Sequence, residues 1–340
     1  MNLDALNKVA TAMVAPGRGI LAADESTGTI KKRFDAIGVE STEDNRRDYR
    51  ELLFRSAEGM KHISGVILYD ETIWQKAKDG TPLVKLIEQA GSIPGIKVDE
   101  GTKPLPMSHG ELITVGLDKL TDRLPKYYEQ GARFAKWRAV IDVGQGIPSY
   151  NCIKANAHAL ARYAALCQAA QIVPIVEPEV LMDGDHDIDR CFTVTERVLK
   201  VVFNELFDAH VMLEGMVLKP NMVIAGKKCA KQASIEEVAE QTVTVLKICV
   251  PAMVPGIAFL SGGQSDEQAT AHLDAMNKIG NLPWKLTFSY GRALQHAPQT
   301  TWKGKSENVA GAQRAFAHRA KMNSLAALGQ WKSDMEKKAA

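Results

Sequence analysis

The sequence predicts a single (β/α)8 barrel over residues 1–340, with an extra helix before the first strand and another after the last. Short apolar runs, typical of buried parallel strands, alternate eight times with longer helical patterns. No linker or change of composition divides the chain, and 340 residues suit one barrel. An open doubly wound sheet is the second fold that fits. The runs are Ile20–Asp24, Gly65–Asp70, Pro94–Asp99, Arg133–Asp142, Ile172–Glu179, Met212–Lys219, Gly256–Gly263 and Leu286–Gly291.

Helical segments separate these runs. Apolar side chains recur every three or four residues from Leu3 to Val14, which predicts an amphipathic N-terminal helix rather than a signal peptide. Ser234 and Ser265 precede acidic residues, as helix N-caps do. A short polar tail, about residues 329–340, follows the last helix. The longer predicted helices are Asp44–Met60, Tyr150–Ala170, Asp189–Ala209, Ser234–Val250, Ser265–Ile279 and Asn308–Leu328.

Composition narrows the class of partner. The formal net charge is only +2, which argues against nucleic acid or an acidic membrane surface. The sequence contains no run of 18 apolar residues, so no membrane span is predicted. The five cysteines are scattered and never form a C-x-x-C pair, as expected of reduced thiols in a cytoplasmic protein.

Three motif-like stretches lack a required feature. A G-x-G-x-x-A match at Gly17–Ala22 opens a strand, whereas a dinucleotide fingerprint opens a helix. Gly304-Lys305-Ser306 has Gln299 where a P-loop needs its first glycine. The aspartates of residues 183–189 resemble a calcium loop that lacks its glycine and its terminal glutamate. We therefore expect no metal site.

Lys219 is the residue on which the functional prediction depends. It follows an apolar run and immediately precedes Pro220, which cannot donate a hydrogen bond to a sheet. The lysine is therefore expected at the carboxyl end of a buried strand. Burial disfavours the ammonium form and lowers a lysine's pKa, which makes the amine a nucleophile towards a carbonyl. Taken alone, Lys219 would be interpreted as an ordinary lysine whose side chain extends from a strand end into solvent, so the prediction depends on the residues around it.

Charged and phosphate-binding residues cluster at the other strand ends, where barrels hold their active sites. Residues two apart on a strand share a face, so Lys136 should point with Arg138, and Glu177 with Glu179. Five basic against three acidic residues leave a positive surplus, which favours an anionic, phosphorylated ligand. One phosphate site is predicted at Ser261, Gly262, Gly263 and Arg292, and a second at Ser26, Thr29, Arg33 and Lys97.

These groups suggest Schiff-base chemistry. A lysine that attacks a ketone forms an iminium, which accepts electrons when a neighbouring carbon–carbon bond breaks. Such a cleavage needs a base for a hydroxyl proton and an acid for imine formation. Asp24, Glu177 and Glu179 are the available carboxyl groups.

The ordered motifs resemble the class I, Schiff-base fructose-bisphosphate aldolases from about residue 7 to about residue 328. The motifs are Leu-Ala-Ala-Asp24-Glu-Ser-Thr-Gly, Gly-Ile-Lys97-Val-Asp, Phe-Ala-Lys136-Trp-Arg138, Ile-Val-Glu177-Pro-Glu179, Val-Leu-Lys219-Pro-Asn-Met, Leu-Ser261-Gly-Gly-Gln and Ser289-Tyr-Gly-Arg292-Ala-Leu. Family members commonly end in a tyrosine on a mobile tail, whereas the last tyrosine of this sequence is Tyr290.

The resemblance implies a role for each matching residue. Lys219 would form the Schiff base, Glu177 would be the general acid/base, and Glu179 would hold the lysine network. Asp24 would take the hydroxyl proton during cleavage, and Lys136 would stabilise charge. The dihydroxyacetone-half phosphate would lie at Ser261, Gly262, Gly263, Ser289 and Arg292; the other phosphate would lie near Ser26, Thr29, Arg33 and Lys97, and Arg138 would also contact the substrate.

The resemblance also implies a metal-independent, cofactor-free enzyme that cleaves fructose 1,6-bisphosphate in glycolysis or gluconeogenesis, usually as a homotetramer. Three alternatives remain. A Schiff-base aldolase could act on another ketose phosphate, a non-catalytic scaffold could bind protein partners, and a metal-dependent aldolase would lose activity to a chelator.

Overall fold

The computed structural model describes residues 2–338 and contains a closed barrel of eight parallel strands. The barrel strands are β1 (Gly19–Ala23), β2 (Ile63–Leu68), β3 (Ile93–Lys97), β6 (Phe134–Ile141), β7 (Val173–Val180), β8 (Val217–Leu218), β9 (Gly256–Phe259) and β10 (Lys285–Tyr290). Around the barrel they follow the order β1-β10-β9-β8-β7-β6-β3-β2. Closure confirms the predicted (β/α)8 class and rules out the open doubly wound sheet.

A two-stranded antiparallel hairpin interrupts the alternation after β3. Its strands are β4 (Thr102–Pro104) and β5 (Leu112–Thr114). The sequence did not reveal it because β4 is exposed and its residues, Thr-Lys-Pro, carry no apolar pattern.

Thirteen α-helices occur among the described residues, and most surround the barrel. The helices predicted from Tyr150, Asp189, Ser234, Ser265 and Asn308 are present, with ends that differ by at most two residues. The helices are α1 (Leu3–Met13), α2 (Thr27–Asp35), α3 (Glu43–Phe54), α4 (Ala57–Met60), α5 (Asp70–Trp74), α6 (Leu83–Gln89), α7 (Leu120–Glu129), α8 (Tyr150–Ala169), α9 (Ile188–Asp208), α10 (Ile235–Cys249), α11 (Asp266–Ile279), α12 (Arg292–Trp302) and α13 (Val309–Ala327).

The N-terminal helix α1 packs on the barrel interior, as its amphipathic pattern predicts. Leu6, Ala10 and Met13 are buried in one cluster with strand residues such as Phe134 and Val217. A larger cluster fills the space between the strands and the outer helices. In residues 2–338 no helix is both long and apolar enough to cross a bilayer.

Three predicted elements are wrong in their extent. The strand predicted over Gly256–Gly263 ends at Phe259. The helix predicted over Asp44–Met60 breaks after Phe54 and resumes at Ala57. Of the strand predicted over Met212–Lys219, only Val217–Leu218 form a strand, and Leu213–Gly215 form a 3-10 turn. The buried amide of Gln168 explains the turn: it accepts a hydrogen bond from Met212 N (2.9 Å) and donates to Met212 O (2.7 Å) and Gly215 O (3.2 Å). Side-chain hydrogen bonds therefore replace a strand ladder here.

The polar C-terminal tail is anchored over its described part. Residues Ser333–Lys338 form a 3-10 turn, and Glu336 forms an ion pair of 2.5 Å with Arg319 of α13. The predicted tail's last two residues, 339 and 340, lie outside the described residues.

Gly95 tests how closely the barrel interior is packed. The ring of Phe134 on β6 lies over Gly95 on β3, and a Cβ built there would be 2.3 Å from ring carbons. We expect Gly95→Ala to lower the free energy of unfolding by about 2–3 kcal/mol because neither strand can move freely. Chemical denaturation measures the change.

Gly28→Ala is the matched control for Gly95→Ala. No atom lies within 4 Å of a Cβ at Gly28, on the helix α2. Its free energy of unfolding should stay equal or rise by up to about 1 kcal/mol, because alanine favours the helix. Equal stability of the Gly95→Ala variant and the native protein would contradict the packing account.

Candidate active site

Lys219 lies at the carboxyl end of β8, as predicted. Its backbone N–H donates to Val176 O on β7 (2.8 Å), so the parallel hydrogen bonding extends one residue beyond Leu218. Pro220 follows and cannot donate. The residue is only 4% exposed. A lysine is thereby held inside the barrel by strand geometry.

Four charged side chains contact one another in sequence around this lysine. Lys219 Nζ lies 3.2 Å from Glu177 Oε1, and the other oxygen of Glu177 lies 3.2 Å from Lys136 Nζ. Lys136 Nζ also lies 2.8 Å from Asp24 Oδ2. The chain of contacts is Lys219–Glu177–Lys136–Asp24, drawn from β8, β7, β6 and the end of β1. The Lys136–Glu177 approach is an ion-pair contact without hydrogen-bond alignment, since Glu177 Oε2 has no hydrogen-bond partner among the described residues.

The two lysines of this chain have opposite pKa shifts. Burial lowers the pKa of Lys219; Glu177 opposes this shift, Lys136 adds to it, and the pKa lies below the ordinary lysine value. Burial also acts on Lys136, but Asp24 and Glu177 outweigh it and raise its pKa. Lys136 therefore stays an ammonium ion, while Lys219 gives up its proton more readily.

Asp24 stays ionised in this cluster. Burial acts to raise its pKa, but the charges of Lys136 and Lys219 outweigh burial and hold the pKa below its usual value. An ionised carboxylate inside the barrel is available to accept a proton from a substrate hydroxyl.

Two further ion pairs extend the cluster along β3, β6 and β7. Lys97 Nζ lies 2.6 Å from Asp99 Oδ1, and Arg138 pairs with Glu179. The predicted role of Glu179 in the lysine network stays a prediction, and the charged partner that the structure gives this carboxylate is the Arg138 guanidinium. The predicted shared faces are observed. In the register of β6 and β7, Lys136 lies opposite Ile175 and Arg138 opposite Glu177. Each cation contacts the glutamate two residues beyond its opposite residue, so Lys136 contacts Glu177 and Arg138 contacts Glu179.

A cavity of about 820 Å³ opens beside this cluster at the barrel mouth. Ser26 caps α2, accepting a hydrogen bond from Thr29 N (3.4 Å), so both hydroxyls lie at a helix N-terminus. Such an end favours an anion. The structure therefore gathers the residues predicted for the second phosphate. Predicted residues lining the cavity are Asp24, Ser26, Thr29, Arg33, Lys97, Lys136 and Arg138.

The other predicted phosphate residues meet at the ends of β9 and β10, outside the lining of that cavity. Arg292 Nη2 donates to Gly262 O (3.0 Å), which fixes the first helical residue of α12 against the Ser261–Gly263 loop. Gly262 has a φ of +56°, a conformation that favours glycine. The hydroxyl of Ser289 on β10 is buried without a partner among the described residues. A buried hydroxyl without a partner fits an anion that would complete its hydrogen bond, and in the loop after β9 the Gly263 N–H donates to Met182 Sδ (2.8 Å).

Arg33 lies between the two predicted phosphate groups. It pairs with Glu25, and its Nη2 is 3.8 Å from the point that a Cβ on Gly291 would occupy. Gly291 immediately precedes Arg292. The assignment of Arg33 to the second phosphate stays a prediction, and its guanidinium also lies near the end of β10.

Sequence reasoning missed several residues that shape the site. Asp99 lies two residues after Lys97 in the predicted run Pro94–Asp99, so its nearness to Lys97 was a usable signal, although β3 itself ends at Lys97. Lys227 left no local signal: it packs on Gly263, where a Cβ would lie 1.7 Å from the lysine Cε, and pairs with Asp183 (2.7 Å).

The stretch that resembled a calcium loop serves other purposes. Asp183 pairs with Lys227, and Asp187 is the N-cap of α9, accepting a hydrogen bond from Arg190 N (2.8 Å). Across residues 2–338, no group of three or more His, Cys, Asp or Glu side chains is arranged to hold a metal ion.

Comparisons with known proteins agree with this geometry. The family model described as fructose-bisphosphate aldolase class-I matches residues 5–340. A Xanthomonas campestris protein named "Probable fructose-bisphosphate aldolase class 1" is 60% identical over 98% of this chain and 100% of its own. The Arabidopsis thaliana protein named "Fructose-bisphosphate aldolase 6, cytosolic" is 57% identical over 94% of this chain and 89% of its own.

A solved structure shares the whole fold. Fructose-bisphosphate aldolase from Plasmodium falciparum, crystallised in complex with TRAP and a small-molecule inhibitor, superposes with a TM-score of 0.96. It is 49% identical, and the match covers 97% of this chain and 96% of the other.

Proposed function

Because this chain belongs to the class I fructose-bisphosphate aldolase family of aldehyde-lyases, we propose that it cleaves fructose 1,6-bisphosphate reversibly through a Schiff base on Lys219. The products are dihydroxyacetone phosphate and glyceraldehyde 3-phosphate. One observation carries the proposal: a buried lysine of lowered pKa lies 3.2 Å from a carboxylate that also contacts a second lysine. Burial and charge together provide the nucleophile that this chemistry needs.

Imine formation uses Lys219 and Glu177. The Lys219 ammonium first gives a proton to the Glu177 carboxylate, and the neutral amine then adds to the ketone carbon C2; transfer of an amine proton to the C2 oxygen completes the carbinolamine. Glu177 returns its proton to the departing hydroxyl, which leaves as water, the C2–N bond becomes an iminium, and Glu177 is a carboxylate again. The 3.2 Å contact between the two side chains places the acid beside the nitrogen at which dehydration occurs.

Cleavage uses Asp24 and Lys136. Asp24 accepts the proton of the C4 hydroxyl, the C3–C4 electron pair moves into the iminium, and the aldehyde leaves with a new C=O bond. An enamine remains on Lys219. Lys136, an ammonium ion 2.8 Å from Asp24, stabilises negative charge that develops on the C4 oxygen. A proton then adds to C3, and water hydrolyses the iminium to release dihydroxyacetone phosphate.

The two phosphates bind on opposite parts of the mouth. The phosphate of the dihydroxyacetone half binds at Ser261, Gly262, Gly263, Ser289 and Arg292. The other phosphate binds near Ser26, Thr29, Arg33 and Lys97, and Arg138 also contacts the substrate. Both groups combine cations with N–H or hydroxyl donors, as phosphate requires.

We further propose that the enzyme works without a metal or organic cofactor, as a cytoplasmic homotetramer in glycolysis or gluconeogenesis. Family membership supports the setting, and the Arabidopsis relative is named cytosolic. Large exposed apolar side chains on α9 and α10, Phe207 and Ile248, offer surfaces that association would cover. Light scattering at micromolar concentration tests the tetramer.

Borohydride trapping tests the Schiff base directly. The protein is incubated with dihydroxyacetone phosphate and a chelator, reduced with borohydride, digested and examined by peptide mass spectrometry. We expect a stable adduct on the peptide that carries Lys219. An adduct on Lys136 or Lys97 would overturn the assignment of the nucleophile, and absence of any adduct despite ligand binding would overturn the mechanism.

A substrate panel tests the preference for a bisphosphate. Fructose 1,6-bisphosphate should have a higher kcat/KM than fructose 1-phosphate, because the latter makes no contact at Ser26, Thr29 or Lys97. A seven-carbon ketose bisphosphate keeps both phosphates and tests the spacing between them. A higher kcat/KM for that sugar or for a monophosphate would replace the proposed substrate.

A further inference from the structure

Gln264 connects the two parts of the phosphate site at the ends of β9 and β10. It is 5% exposed and directly follows Gly263. Its side-chain Nε2 donates to Ser261 O (3.1 Å), and its backbone carbonyl accepts from Arg292 Nη2 (3.2 Å). A single residue thus holds both the start of the loop and the arginine that faces it.

The orientation of the Gln264 amide is set by His272. The imidazole Nδ1 lies 2.6 Å from Gln264 Oε1, and His272 is 6% exposed on the helix α11. Since an amide oxygen only accepts hydrogen bonds, Nδ1 must carry the proton. Burial lowers the pKa of His272 to about 4, so the ring is neutral at pH 7 with this nitrogen protonated.

Loss of that donor would release the amide. If the amide turned over, Oε1 would face Ser261 O, and two acceptors would oppose each other in a buried space. The Nε2 contact to Met222 Sδ (3.5 Å) is too weak to hold the amide alone. The backbone N–H of Gln264 also donates to Ser261 O (3.2 Å) and would remain, so His272 of α11 supports the second, side-chain hydrogen bond to that carbonyl.

We propose that His272 is a positioning residue: it fixes the Gln264 amide and, through it, the Ser261–Gly263 loop and Arg292 in the geometry that binds the dihydroxyacetone-half phosphate. The inference rests on the proposed function, which assigns that phosphate to this loop. His272 contacts no reacting atom in this account. Its effect should therefore appear in affinity for one half of the substrate and leave the chemical step intact.

Three substitutions separate a donor at Nδ1 from mere filling of space. In His272→Asn the amide nitrogen can occupy nearly the position of Nδ1, whereas in His272→Gln the donor lies nearer the position of Nε2. His272→Leu removes the donor and keeps an apolar side chain of similar size. Only the asparagine variant can restore the hydrogen bond to Gln264 Oε1.

The experiment measures half-saturation by dihydroxyacetone phosphate in borohydride trapping, together with KM for each substrate in the condensation direction. His272→Leu and His272→Gln should raise half-saturation by dihydroxyacetone phosphate about tenfold, the effect of one lost buried hydrogen bond. His272→Asn should stay within about twofold of the native protein, on the same scale of binding energy. KM for glyceraldehyde 3-phosphate and kcat should change by less than about threefold in all variants, since neither depends on this loop.

Several outcomes would overturn the inference. Unchanged half-saturation in His272→Leu would show that the loop holds itself, and equal effects on both substrates would show a general structural role. If His272→Leu does not fold, the contrast between the asparagine and glutamine variants decides, and equal values for the two would reject the inference. A native protein that forms no adduct would instead reject the proposed function, so the two failures are distinguishable.

Discussion

Lys219→Met is expected to reduce kcat by at least about 10⁵-fold, since removal of a covalent nucleophile costs nearly all of the rate enhancement that depends on it. The variant should still fold. Glu177 keeps Lys136 as a partner at 3.2 Å, so no carboxylate is left alone in the barrel. An apolar thioether in place of a buried amine removes a desolvation cost, so Tm should not fall. A coupled assay and thermal unfolding measure the two quantities.

Lys97→Met is the matched control for this prediction. Lys97 also lies at the carboxyl end of a barrel strand, but its ammonium contacts Asp99 rather than Glu177. Its variant should keep the borohydride adduct on Lys219 and lose affinity for the bisphosphate. Activity of Lys219→Met within about 100-fold of the native protein would be too high for a variant without its nucleophile. It would show that another group performs the addition.

Much of the barrel was predictable because the order of the strands, and the face of a strand on which a side chain lies, follow from the pattern of apolar and polar residues along the sequence. Each apolar run marked a strand, and the spacing of two residues placed Lys136 with Arg138 and Glu177 with Glu179 on shared faces. Lys219 was predictable for the same reason, since a proline after a buried run fixes where the strand ends.

The remaining features depend on contacts between distant segments. Gln168 bends the stretch before β8 from a different helix, and no property of residues 212–216 announces it. Lys227 reaches Gly263 across two loops, and the buried pair His272–Gln264 joins α11 to the loop after β9. The contact between Glu179 and Arg138 has the same origin. The sequence predicted which face of its strand Glu179 lies on, but not which side chain of the neighbouring strand reaches it.

Glu177→Gln is expected to lower kcat by about 10²–10⁴-fold, the usual contribution of a positioned general acid or base. Glutamine keeps the shape of the side chain and cannot donate the proton that carbinolamine dehydration needs. The same change should lower the pKa of Lys219 further. Burial is the first cause of that lowered pKa, and the negative charge of Glu177 opposes it, so removal of the charge leaves burial and Lys136 unopposed by this neighbour.

The two effects of Glu177→Gln act in opposite directions on imine formation and can be measured apart. Carbamoylation of Lys219 by cyanate, followed by peptide mass spectrometry across pH, reports the neutral amine, and its midpoint should move to lower pH in the variant. Glu179→Gln is the control: that carboxylate contacts Arg138, so the midpoint should stay where it is. A midpoint that moves to higher pH in Glu177→Gln would mean that Glu177 does not act on Lys219 as a charge. A lower midpoint together with a reduced kcat would separate the two roles of Glu177. The lower midpoint would show its effect on the pKa of Lys219, and the reduced kcat, despite more neutral amine, would show the loss of the proton donor for dehydration.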